Sequence, residues 1–145
     1  MGVIDQLDKG SILPTLQLGG IGSLGALRGR CNLLLFLAHP PGCSLCVELL
    51  GKFAANLGLL RDLEAEVLAL VPGEAAEVQA FAQRLALPFP VCAVRQNEFG
   101  SDATLIVADR FGEIFAMVRA GATHRLLTVE EVVEELTFIG VQCPE

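Results

Sequence analysis

The chain has 145 residues, 52% of them hydrophobic, and a formal net charge of −7. That length suits one domain with a sizeable core, and an acidic chain without a basic cluster is not expected to bind nucleic acid. No apolar run approaches the roughly 18–20 residues of a membrane helix, so no membrane partner is expected, while a mean hydropathy of +0.56 leaves apolar surface that points to a homo-oligomer.

Met1-Gly2-Val3-Ile4-Asp5 lacks the basic and apolar regions of a secretory signal, so the cytoplasm is the expected location. Residues 1–31 read as an N-terminal extension of short strands and turns. Ile12 to Leu18 alternates well enough for a strand, residues 19–22 form a turn, and Ser23 to Leu27 reads as a short strand or helical turn. The glycines here form no dinucleotide fingerprint and read as turn residues. Asn32 to Leu37 then runs apolar without alternation, the pattern of a strand buried on both faces.

That run stops at His39-Pro40-Pro41-Gly42. Residues 44–58 follow with apolar side chains at 45, 46, 47, 49, 50, 53 and 57, which predicts a helix with one broad buried face. Arg61 to Glu66 is a charged connection, or a last helical turn, into a second apolar strand, Val67 to Val71, ended by Pro72-Gly73. Glu74 to Leu85 is helical in composition, with Val78, Phe81 and Leu85 on one face. Pro88-Phe89-Pro90 leads to a short strand at Val91 to Val94. Ala103 to Ala108 is a third long apolar strand, Asp109 to Gly112 a turn, and Glu113 to Val118 its antiparallel return. Thr128-Val129-Glu130-Glu131 is a capping box opening a helix over 129–138, with Gly140 at its end. Crossover helices imply parallel pairing in the first half, and the hairpin adds antiparallel strands to the same sheet. With no repeat or linker in view, residues 1–145 read as one α/β domain.

Five cysteines stand at 31, 43, 46, 92 and 143, too sparse and odd in number for an extracellular disulfide framework. Cys43 and Cys46 form a Cys-x-x-Cys pair where the first long helix begins. Unpaired N–H groups and the helix dipole favour a thiolate there. Cys43, following the Pro41-Gly42 turn, is the candidate nucleophile, and Cys46, one helical turn later, is placed to resolve a mixed disulfide. The plain alternative is two unreactive small residues at a tight turn. His39, four residues before Cys43, would steady the thiolate when protonated or bind a metal when neutral, against the simpler reading of a loop histidine. Cys31 and Cys92 read as buried small side chains, His124 as a surface residue, and Cys143 as a tail thiol. A zinc or iron–sulfur site would need two ligands beyond Cys43 and Cys46, and no second Cys-x-x-Cys occurs. No metal and no cofactor is therefore expected. Glu130, Glu131, Glu134 and Glu135 fit a solvated helix face better than an acid–base pair.

The element order, with Cys-x-x-Cys opening the first helix, resembles the thioredoxin fold. Residues 13–18, Leu24 to Leu27 with Arg28-Gly29-Arg30, Ala82 to Leu87 with Pro88-Phe89-Pro90, and Asp109-Arg110-Phe111-Gly112-Glu113-Ile114 resemble peroxiredoxins. The resemblance spans residues 10 to 138. It implies a thioredoxin-like α/β fold, a central mixed sheet flanked by helices with an N-terminal strand or hairpin extension. It also implies a thiol–disulfide oxidoreductase using Cys43 and Cys46 on a protein or small-molecule thiol or disulfide partner. The alternatives are a thiol peroxidase, with Cys43 attacking peroxide and Cys46 resolving, and a non-catalytic redoxin-fold module that binds a partner or a metal. Pro40 stands where peroxiredoxins carry a threonine. Ser101-Asp102-Ala103 stands where they carry an arginine and where thioredoxin-like reductases carry a cis-proline. On this fold Asp102 approaches the cysteine turn, where a carboxylate would raise the Cys43 thiol or take the Cys46 proton; a solvated loop aspartate is the bland reading.

Overall fold

The computed structural model describes residues 7–13, 17–18, 22–23, 31–41, 43–95, 103–120 and 126–142. The elements in chain order are β1 (Gln17–Leu18), β2 (Gly22–Ser23), β3 (Asn32–Leu37), α1 (Ser44–Ala55), α2 (Leu57–Asp62), β4 (Ala65–Pro72), α3 (Ala75–Leu85), β5 (Val91–Val94), β6 (Thr104–Ala108), β7 (Ile114–Arg119) and α4, which covers Val129–Gln142. Five strands form one sheet in the order β5-β4-β3-β6-β7. β3 runs parallel to β4 and antiparallel to β6. β5 adds in parallel to β4, and β7 antiparallel to β6. The mixed α/β sheet expected from the sequence is what forms.

The apolar run at 32–37 lacks alternation because β3 is the middle strand and every one of its residues is buried. Its side chains divide between two cores. Leu34 and Phe36 join Val67, Ala69, Leu105 and Val107 under the helices, which contribute Leu50, Phe53, Leu60, Phe81, Val132 and Leu136. Leu33, Leu35 and Leu37 face the other way with Leu68, Leu70 and Ile106, covered in part by Leu13 and Leu7 of the N-terminal segment. That segment is tied to the β6–β7 hairpin. Leu13 N–H donates to the Gly112 carbonyl at 2.8 Å and Ile114 N–H to the Ser11 carbonyl at 2.8 Å. Of the strand expected at 12–18, an isolated bridge from Ile12 to Glu113 and the short β1 are seen; residues 14–16, and 24–27 further on, lie outside the described residues.

Two helix boundaries differ from the sequence expectation. The helix expected over 44–58 breaks at Asn56, whose side-chain amide donates to the Lys52 carbonyl at 2.8 Å. Such local bonds compete with the helical ladder. The chain restarts as α2 and takes in Arg61 and Asp62, the last helical turn that the sequence allowed as an alternative to a connection. At the other end, α4 does not stop before Gly140 but runs through it to Gln142. A helical glycine costs about 1 kcal/mol against alanine, a penalty that burial of the adjacent Ile139 offsets.

The capping box forms as read. Thr128 N–H donates to Glu131 Oε1 at 2.9 Å, and Glu131 N–H donates to Thr128 Oγ at 3.2 Å. Thr128→Ala is expected to cost about 1 kcal/mol, seen as a lower urea midpoint with an unchanged slope. No loss would mean that the cap adds nothing to docking of α4.

Candidate thiol site

β3 ends at Leu37, and Ala38 is still held to the sheet through its N–H on the Leu70 carbonyl at 2.9 Å. The Pro40-Pro41 turn then delivers Cys43 to the N-cap of α1. Its backbone there is extended (φ −77°, ψ 115°) and its side chain makes no capping bond, while its carbonyl accepts the first helical N–H, from Val47, at 3.1 Å. No acidic side chain stands in the first turn to oppose an anion. Cys43 is half-buried. Cys46, one turn in, is only 2% exposed and belongs to the helical core.

His39 meets both sulfurs. Its backbone N–H donates to Cys46 Sγ at 3.3 Å, and its Nδ1 lies 3.4 Å from Cys43 Sγ. On the far side of the ring, Ala103 N–H donates to Nε2 at 3.3 Å. Strand register brings Ala103 there. Leu37 pairs with Thr104, so the next residues outward are Ala38 and Ala103. The Ala103 carbonyl is occupied by Ala120 N–H at 2.8 Å.

Burial pushes the Cys46 thiol up. The His39 N–H pulls it partly back, and the hydrogen bond and charge of Cys43 push it further, to about 12. At neutral pH Cys46 is therefore a thiol. The three donor atoms of His39, Cys43 and Cys46 lie within 4.8 Å of one another. One nitrogen and two sulfurs are the kind of donors zinc takes, one short of a closed structural site.

Of the residues singled out in the sequence, His39, Pro41, Cys43 and Cys46 come together at this turn, with Pro41 half-buried. Gly42, Asp102, His124 and Cys143 lie outside the described residues. Cys31 is half-buried beside β3 rather than buried, whereas Cys92 is buried in β5 with its thiol pushed up by burial. Cys43, Cys46 and Cys92 are free thiols. The residue that sequence reasoning missed is Ala103, which contributes a backbone amide. A cavity of about 830 Å³ runs between α3 and β5, lined by Val78, Gln79, Phe89 and Cys92 among others, without a charged side chain. It contains none of the three residues at the thiol turn.

No family model matches the chain, and no curated protein matches it in sequence. Solved structures do match. The peroxidoxin BcpB of Mycobacterium tuberculosis superimposes with a TM-score of 0.76 at 12% identity, covering 92% of this chain and 98% of that one. AhpC of the same organism gives 0.76 at 17% identity over 95% and 97%. Reduced Prx3 of Vibrio vulnificus, solved in complex with hydrogen peroxide, gives 0.75 at 13% identity over 90% and 99%. The chain thus has the thioredoxin-like fold, in the form taken by peroxiredoxins. No described helix is long and apolar enough to cross a membrane.

Proposed function

We propose that the chain is a cytoplasmic thiol–disulfide oxidoreductase that cycles a Cys43–Cys46 dithiol against a protein or small-molecule disulfide. The observation that carries this reading is the asymmetry of the pair. Cys43 is half-buried at the helix N-cap, and Cys46 is buried one turn away as a thiol. In the forward direction the Cys43 thiolate attacks a substrate sulfur. A mixed disulfide forms and one substrate thiolate leaves. Cys46 then gives its proton to that thiolate or to solvent and attacks Cys43 Sγ, which breaks the mixed disulfide and releases the second thiolate. The protein loses two hydrogens and the substrate gains them.

Cys46→Ser tests this reading. Incubated with oxidised glutathione, the variant is expected to accumulate one mixed disulfide on Cys43, read by peptide mass. The native chain is expected to pass on to the Cys43–Cys46 disulfide with loss of two hydrogens. A variant that forms no adduct at Cys43 would sink the reading.

The peroxiredoxin form of the fold favours a second reading, since one such structure holds hydrogen peroxide. Here the Cys43 thiolate attacks a peroxide oxygen, the O–O bond breaks, and the departing oxygen takes a solvent proton. Cys43 becomes a sulfenic acid, and Cys46 condenses with it to release water. Peroxide consumption with a sulfenate trapped in Cys46→Ser would favour this second reading over the first.

A further inference from the structure

We infer that His39 is a positioning residue locked in the Nδ1–H tautomer by the Ala103 amide, so that it acts on Cys43 as a fixed hydrogen-bond donor and takes no proton from it. The inference deepens the oxidoreductase reading and rests on it for its functional meaning.

A neutral imidazole has one N–H and one lone pair. Ala103 N–H points at Nε2 from 3.3 Å, and an N–H can donate only to a lone pair. Nε2 therefore carries the lone pair and Nδ1 the proton. Nδ1 stands 3.4 Å from Cys43 Sγ, so the contact is Nδ1–H to sulfur, and it is strongest when the sulfur is a thiolate. With its proton already in place, Nδ1 cannot receive the Cys43 proton, which leaves to solvent. Formation of the mixed disulfide removes the charge that the donor faces, and release of the Cys43 thiolate when the exchange runs in reverse restores it.

The same bond argues against the three-donor cluster as a metal centre. A metal-bound imidazole coordinates through one nitrogen and normally donates the other N–H to an acceptor. Coordination at Nδ1 would move the ring proton to Nε2 and set it against the Ala103 N–H.

The test is the imidazole nitrogen spectrum of the reduced protein at neutral pH, with the His39 signal assigned by its loss in His39→Asn. The expected pattern has a protonated Nδ1 and a lone-pair Nε2, the minority tautomer of free histidine. An Nε2–H ring or an imidazolium would overturn the inference. Iodoacetamide alkylation at Cys43 supplies a second readout. His39→Ala is expected to slow it about three- to tenfold, the lost thiolate fraction being partly offset by the higher nucleophilicity of a more basic sulfur. His39→Asn, whose Nδ2 falls near the Nδ1 position, is expected to recover most of that rate; equal rates in all three proteins would overturn the inference. Ala103→Pro deletes the N–H and is expected to shift the ring towards Nε2–H. Failure of the oxidoreductase reading would appear separately, as absence of disulfide exchange with the tautomer unchanged.

Discussion

Cys43→Ser is expected to lower turnover of a disulfide substrate by about three orders of magnitude or more, the scale on which loss of a covalent nucleophile is felt. Cys46 cannot take over. It is 2% exposed, and burial is the largest influence raising its thiol. Removing Cys43 takes away only the two smaller upward contributions, so the remaining thiol stays above its ordinary value and protonated at neutral pH. The sign is the same for stability. A thiol raised by folding holds its proton more tightly in the native state than in the unfolded chain. The stability it contributes is complete below the unfolded value and is lost as pH rises from there towards about 12. The measurement is the rate of oxidised-glutathione consumption at neutral pH. Turnover above a tenth of the native rate in Cys43→Ser would move the chemistry to another cysteine.

Phe53→Ala is expected to destabilise the chain by about 3–5 kcal/mol, a large share of the roughly 5–15 kcal/mol typical of a domain. The ring is fully buried on the inner face of α1 and stands edge-on to Phe36 of β3, with centroids 6.4 Å apart and planes at 75°. Truncation leaves a cavity between the central strand and the helix whose N-cap is Cys43. Phe111 is the control. It is 55% exposed in the β6–β7 turn, and its truncation is expected to fall within about 0.5 kcal/mol of native. Urea unfolding of both variants makes the comparison. A loss below about 1 kcal/mol for Phe53→Ala would mean that α1 is not anchored through this contact.

Much of this architecture was legible because each signal was local. An apolar run without alternation identifies a central strand, and β3 is one. A threonine three residues before a glutamate identifies a helix start, and the reciprocal bonds of Thr128 and Glu131 supply it. The position of Cys43 and Cys46 at the opening of α1 followed from the same kind of evidence. The break at Asn56 was not legible, because it turns on one side-chain amide choosing a backbone carbonyl. Nor was the passage of α4 through Gly140, where burial of Ile139 offsets a weak helix former. At the thiol turn, His39 was recognisable as a candidate from its spacing to Cys43, but its proton position was not. That depends on an amide 64 residues away in the chain, brought near by strand register, and a backbone N–H carries no mark of residue type. Ala103 drew notice in the sequence as the start of an apolar strand and for not being proline or arginine. Its N–H, which a proline would lack, is what meets the histidine ring.

His39 offers one donor from its backbone and one from its ring, each aimed at a different sulfur of the pair. In the proposed cycle, joining those sulfurs would leave two poorer acceptors and weaken both contacts in one event, so a single residue registers the state of both cysteines.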